Sequence, residues 1–288
     1  MSSRLKLYDR VAEDAAGIVI RSYSTSFSAA SRLLGADVRQ HVENIYALVR
    51  VADEIVDGGA EEAGLDLIAT GRQLNELERE TENAIESGFS SNLIVHAFAL
   101  TAREVSFGAE LTAPFFESMR MDLSQKEHDQ ASFDRYVYGS AEVVGLMCLC
   151  AFLHGHDVSD EQRAKFEHGA QALGAAFQKV NFLRDLADDF ETLGRSYFPG
   201  INVASFTEAE KIRLLDDLDS DLRDAAIGAE LPASSKKAVA LAHSLFAQLS
   251  KRIRATPASE LVKTRVRVPD VVKLRLAAAA AMGVTPRS

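Results

Sequence analysis

Two stretches of this chain have the period of an α-helix, and each carries a polar stripe beside its apolar one. Over residues 38–57 the apolar positions are Val38, Val42, Ile45, Val49, Ala52 and Val56, an alternation of four and three. Beside them stand Tyr46, Arg50, Asp53 and Asp57. Over residues 159–193 the stripe is Leu173, Ala176, Val180, Leu183, Ala187 and Phe190, bordered by Gln178, Asn181, Asp185 and Asp189. Spacings of three and four put each polar set on one helix face. A polar stripe that borders the core stripe lines the rim of a cavity rather than open water.

Further helical patterns run near 7–22, 63–87, 91–106, 115–123, 133–153, 207–228, 233–254 and 269–282, with a break expected over 108–114. Gly58 and Gly59 end the 38–57 helix, and the turn at 194–200, with Pro199, ends the 159–193 helix. Strand-like alternation is nearly absent, and only 17 Gly and 6 Pro occur in 288 residues, with no Pro/Gly/Ser-rich linker. The expectation is an all-α fold forming one domain over residues 1–288.

A net charge of −10 argues against a nucleic-acid partner. Basic residues nevertheless gather late in the chain, at Lys251, Arg252, Arg254, Lys263, Arg265, Arg267, Lys273 and Arg275. Cys148 and Cys150 point in different directions on a helix and read as core thiols, in keeping with a reducing compartment. No signal peptide is visible in the polar first ten residues, and the apolar run at 143–153 is about half the length that spans a bilayer. The seven histidines lack zinc-ligand spacing, and no nucleotide loop or Ser/His/Asp arrangement appears.

Two carboxylate pairs on facing helices repel one another when alone and become favourable when Mg²⁺ bridges them to a diphosphate. Arg50, three residues before Asp53, and Asn181, four before Asp185, strengthen that reading. Arg184 and Arg195 can neutralise diphosphate oxygens. A third Asp-xxx-Asp pair, Asp217 and Asp221, reads as a solvated helix face. Ser24 and Ser26 offer hydroxyls to a phosphate or cap the next helix. Gly139, Ser140, Ala141 and Gly145 either admit a close helix or leave space for a ligand.

At these residues the chain resembles the squalene/phytoene synthase family over nearly its whole length. The carriers are Tyr-Ser-Thr-Ser-Phe at 23–27, Tyr-Ala-Leu-Val-Arg-Val-Ala-Asp-Glu-Ile-Val-Asp at 46–57 and Tyr-Val-Tyr-Gly-Ser-Ala-Glu-Val-Val-Gly at 136–145. Gln-Lys-Val-Asn-Phe-Leu-Arg-Asp-Leu-Ala-Asp-Asp at 178–189 and Gly-Arg-Ser-Tyr-Phe-Pro at 194–199 complete the set. Within the family it is most similar to bacterial, actinobacterial-type members that form phytoene.

The resemblance implies an isoprenoid-synthase-type helical bundle around a central cavity. It implies head-to-head condensation of two geranylgeranyl diphosphates through a cyclopropyl diphosphate, in carotenoid biosynthesis. Mg²⁺ is the implied cofactor, with Mn²⁺ as a substitute and NADPH not expected. Asp53, Asp57, Asp185 and Asp189 would hold metal, with Asn181 assisting. Arg50, Arg184, Arg195, Tyr197 and Lys273 would contact diphosphate, with Ser24, Ser26, Tyr46 and Gln178 also on the substrate. Phe27, Tyr136, Ala141, Val144 and Gly145 would wall the cavity, and Tyr136 is a candidate proton acceptor. Thr25, Glu142 and Phe246 depart from residues common in relatives (Lys, Gly and Tyr), which bears on chain-length preference.

The nearest rival is condensation of two farnesyl diphosphates to squalene or dehydrosqualene. The first motif lacks the Asp-Asp-x-x-Asp of chain-elongating prenyltransferases, and 181–189 lacks the Ser and Glu of terpene cyclases. A non-catalytic assembly factor of the same fold is the distant alternative, disfavoured because all four aspartates are present. The expected location is the cytoplasm, with peripheral contact at the inner face of the cell membrane and hand-over of an apolar product to a downstream desaturase.

Overall fold

In a computed structural model, residues 4–188, 196–226 and 230–283 are described, apart from the side chains of Thr25, Ser26 and Asp188. The chain is a single helical domain. In order come α1 (Arg4–Tyr23), α2 (Thr25–Ser31), α3 (Ala36–Val56), α4 (Gly59–Glu62), α5 (Leu67–Ser87), α6 (Leu93–Val105) and α7 (Ala109–Ser124). Next are α8 (Gln130–Val137), a π-helical turn (Tyr138–Glu142), α9 (Val143–Leu153) and α10 (Asp160–Asp188). A 3₁₀ turn (Val203–Ser205), α11 (Glu208–Asp224), α12 (Lys236–Ala255), α13 (Ala258–Leu261) and α14 (Asp270–Ala281) follow. No strand occurs among the described residues, where Glu127 and Ser196 form an isolated parallel bridge.

Two apolar cores flank the rod made by α8, the π turn and α9. On one side Ile45 and Leu48 of α3, Leu74 of α5, Phe98 of α6, and Phe115 and Phe116 of α7 pack with Val143 and Met147 of α9. On the other side Phe133 and Tyr136 of α8 meet Val180 and Leu183 of α10, Leu215 and Leu218 of α11, and Ile253 of α12. α3 and α10 both pack against α9, so the two helices bearing the acidic motifs flank one central rod. Gln130–Leu153 as a whole is long and apolar enough to cross a membrane, yet half of it is buried in the bundle, which makes it a core element.

The structure departs from the sequence expectations in several places. α7 begins at Ala109, inside the expected break, and contains Pro114. A proline inside a helix costs ~3 kcal/mol. Full burial of Phe115 and Phe116 offsets this, at ~1.5–3 kcal/mol each. The carbonyl deprived of its helical donor belongs to Glu110, which is exposed. The 24–31 segment forms its own short helix, and the turn at Gly59–Glu62 separates from α5, whose start is fixed by Asp66 accepting from the Ala69 N–H at 2.7 Å. Gly58, at φ +113°, makes the left-handed step after α3.

The Asp217/Asp221 face is not simply solvated. Lys179 of α10 reaches Asp217 at 2.6 Å and Asp221 at 2.8 Å, while Arg254 of α12 pairs with Asp216 at 2.8 Å and Asp219 at 2.9 Å. The acidic run of α11 therefore ties α10 and α12 together. The cysteines are free thiols on α9, and burial pushes Cys148 up to about 12.

Candidate active site

The last turn of α3 places Asp53 beside the C-cap residue Asp57. Asp53 is partly buried in the fold. Burial raises its proton affinity well above the ordinary carboxylate range, and Asp57 adds to this; Arg50 only partly opposes it, and Asp122 and Glu54 raise it further. The negative end of the α3 dipole acts in the same direction. Arg50 forms an ion pair with Glu54, one turn on, and its guanidinium lies 4.5 Å from the centre of the Tyr23 ring.

Asp122, in the last turn of α7, is a residue the sequence reading missed. The Tyr136 hydroxyl donates to its two oxygens at 3.0 and 2.9 Å, and the Tyr197 hydroxyl donates to Oδ1 at 3.3 Å. Tyr197 stacks on Phe182 with ring centres 3.9 Å apart, and His128 lies over both tyrosines. Burial, then the Asp122 charge, raises the Tyr136 phenol well above its usual range, with Asp57 contributing. The one sequence signal was an acidic residue in a helical turn with no basic one, against the dipole.

On α10, Gln178, Asn181 and Asp185 share one half-buried face, as their spacing required. Asp185 is gripped from two sides. Arg184 donates to it at 2.9 and 2.5 Å, and Arg265 at 2.7 and 3.3 Å. In the sequence Arg265 stood only among the late basic residues, and its pairing with Asp185 was not foreseen because 80 residues separate them. Asp189, Arg195 and the Ser26 side chain lie outside the described residues. Lys273 pairs at 3.2 Å with Asp270 on its own helix.

An aromatic wall forms where α2, α3, α10 and α12 converge. Phe27 packs on Tyr46, Phe177 and Phe246, with ring centres 5.9, 5.0 and 6.5 Å away. Ser24 caps α2 by accepting from the Phe27 N–H at 3.1 Å and also bonds Tyr46, whose phenol is raised mainly by burial. Ser24 thus serves the cap that its sequence also allowed.

Of the two readings open for the small residues, the structure shows close helix approach at Gly139 and Gly145. A Cβ at Gly145 would stand 2.5 Å from the Ala170 carbonyl oxygen, and one at Gly139 would stand 2.3 Å from that of Pro114. The Ala141 carbonyl lies 2.5 Å from where Gly174 would carry a Cβ. Val144 packs against the first core. Glu142 points toward α10 and α11: Gln171 donates to it at 3.2 Å, and burial raises its carboxyl, with Asp221 adding.

Asp53 and Asp57 offer hard oxygen donors of the kind Mg²⁺ or Mn²⁺ selects. The cost of keeping Asp53 charged is what a cation between the two would relieve, so these residues fit the ion. Among the described residues, no three Asp, Glu, His or Cys side chains form a ready-made cation site, so further ligands would come from Asp189 or a substrate.

The chain matches the squalene/phytoene synthase family model over residues 20–271. A 4,4′-diapophytoene synthase of Staphylococcus haemolyticus is 28% identical over 205 residues, or 70% of this chain and 66% of that protein. A 15-cis-phytoene synthase of Pantoea ananas is 27% identical over 250 residues, or 80% of this chain and 78% of that one. A dehydrosqualene synthase crystallised with a ligand shares the fold, with a TM-score of 0.78 at 19% identity over 96% of this chain and 97% of the other. The chain therefore belongs to the squalene/phytoene synthase family, a family of head-to-head prenyltransferases.

Proposed function

We propose that this chain is a Mg²⁺-dependent phytoene synthase that joins two geranylgeranyl diphosphates head to head through a cyclopropyl diphosphate. The observation that carries the reading is Asp53, a crowded carboxylate beside Asp57 whose charge calls for a cation. When bound, Mg²⁺ supplies charge neutralisation to the departing diphosphate. The chain's own residues do the rest. Arg50, Arg184 and Arg265 offer guanidinium forks to phosphate oxygens. The Phe27, Tyr46, Phe177 and Phe246 rings shield an allylic cation from water and face it with π electrons.

The phytoene synthase relative supports the C20 substrate. A second reading, two farnesyl diphosphates giving dehydrosqualene, is favoured by the 4,4′-diapophytoene synthase relative at similar identity. Purified protein with Mg²⁺ and no NADPH, given each diphosphate separately, decides by product mass. A C40 hydrocarbon from the C20 substrate supports the proposal, and a C30 product alone moves it to the second reading. No hydrocarbon and no diphosphate release from either would leave the non-catalytic assembly factor.

We also propose peripheral contact with an anionic lipid surface, where the apolar product passes to a desaturase. Val271 and Leu274 of α14 are 78% and 70% exposed, Lys273 and Arg275 stand on the same helix, and Lys263, Arg265 and Arg267 precede it in the chain. Sedimentation with phosphatidylglycerol vesicles at low salt should retain the protein, and V271E/L274E should release it. No retention of the parent protein would sink the idea.

A further inference from the structure

We propose that Asp122 is a positioning residue for the condensation, holding the Tyr136 and Tyr197 hydroxyls in one orientation beside the Asp53–Asp57 pair. This rests on the functional reading above. A phenol has one proton to donate and oxygen lone pairs to offer. With both protons directed at one carboxylate, at 2.9–3.0 Å and 3.3 Å, the two oxygens present lone pairs to whatever else approaches them. Lone pairs fixed in advance stabilise a developing positive charge without reorganising during the reaction.

The surroundings set the ring planes, and Asp122 accepts from both hydroxyls. Phe182 stacks on Tyr197 at 3.9 Å and 11°, and His128 lies 5.2 Å from Tyr136 and 5.9 Å from Tyr197. Tyr136 and Tyr197 are only 3% and 8% exposed, so neither ring has water to fall back on. Asp122 stands in the last turn of α7 and joins that helix to α8 and to the 196–198 segment through these two hydroxyls.

The test compares the parent enzyme with D122A, D122N, Y136F and the double variant Y136F/D122N under Mg²⁺. Hydrocarbon formation, kcat, KM and Tm are measured for each. D122A should lose about 10²-fold in kcat with KM little changed, the scale of a misplaced group in a preorganised site. D122N, which keeps one acceptor oxygen, should recover part of the loss. If Asp122 acts through Tyr136, the double variant should be about as slow as Y136F alone. A D122A enzyme as fast as the parent, or losses that multiply in the double variant, would overturn the proposal.

If D122A fails to fold, the near-isosteric D122N and the cycle with Y136F decide the matter. The tyrosine Raman doublet gives a readout independent of turnover. It should shift for two of the six tyrosines when Asp122 is replaced, and no shift would contradict the contacts themselves. A parent enzyme that forms no hydrocarbon removes the functional reading and this proposal together. An active parent with an unaffected D122A removes this proposal alone.

Discussion

Asp53 of α3 and Asp185 of α10 each open a motif of four-residue spacing, and their electrostatic surroundings are opposite. Asp53 sits among like charges, with Arg50 only partly offsetting them. Asp185 is held by two guanidinium groups, Arg184 from its own helix and Arg265 from the segment before α14. Spacing therefore specifies where carboxylates stand, while neighbours from distant sequence decide their charge balance. On the proposed function, Asp53 is the carboxylate that would take a cation, and Asp185 would trade arginine contacts for other partners when a diphosphate binds.

The sharpest test of whether the two motifs are equivalent is removal of each carboxylate. D53A and D185A should each lose on the order of 10³-fold or more in Mg²⁺-dependent diphosphate release, the scale of losing preorganised charge stabilisation. Markedly unequal losses would show that one motif does most of the chemistry. Stability should separate them by sign. D185N should lower urea stability by about 1–2 kcal/mol, since it leaves Arg184 facing Arg265, discounted because Arg265 is partly exposed. D53N should instead raise Tm in metal-free buffer.

The pH dependence follows from the raised Asp53 carboxyl. A group with higher proton affinity in the folded state gives stability that falls as pH rises from its unfolded value, near 3.8, through its folded value. The advantage of D53N should therefore be largest at neutral pH without divalent ions. It should shrink as pH falls through that window, and a Tm difference independent of pH would contradict the assignment. The smallest effect concerns the grip on Asp185. R265A should tighten Mg²⁺ binding about severalfold without substrate, by freeing carboxylate oxygens, and calorimetric titration would show it.

Much of this was legible in the sequence because helical period fixes a face. The Ile45, Leu48 and Ala52 side of α3 is core, and Arg50, Asp53 and Asp57 lie where the neighbouring stripe placed them. What escaped was set by partners far away in the chain. Asp122 belongs to no spacing motif and gains meaning only from tyrosines 14 and 75 residues later. The acidic run of α11 looked solvated because Lys179 lies 38 residues before Asp217. Pro114 looked like a break because its cost is local while the burial of Phe115 and Phe116 is tertiary. Gly145 allowed two readings, and only the α10 backbone beside it distinguishes them.

The π turn at Tyr138–Glu142 separates Tyr136, which reaches Asp122, from Gly145, which seats α9 on the Ala170 carbonyl. A π turn holds about one residue more than an α turn, so all that follows is rotated by roughly 100° against an unbroken helix. The segment works as a phase setting between chemistry and scaffold. Deleting a single residue there would leave both halves helical and the composition of both cores unchanged. With Gly145 seated, however, Tyr136 would turn away from its carboxylate, so one residue of phase separates a chain that merely packs from one aligned to react.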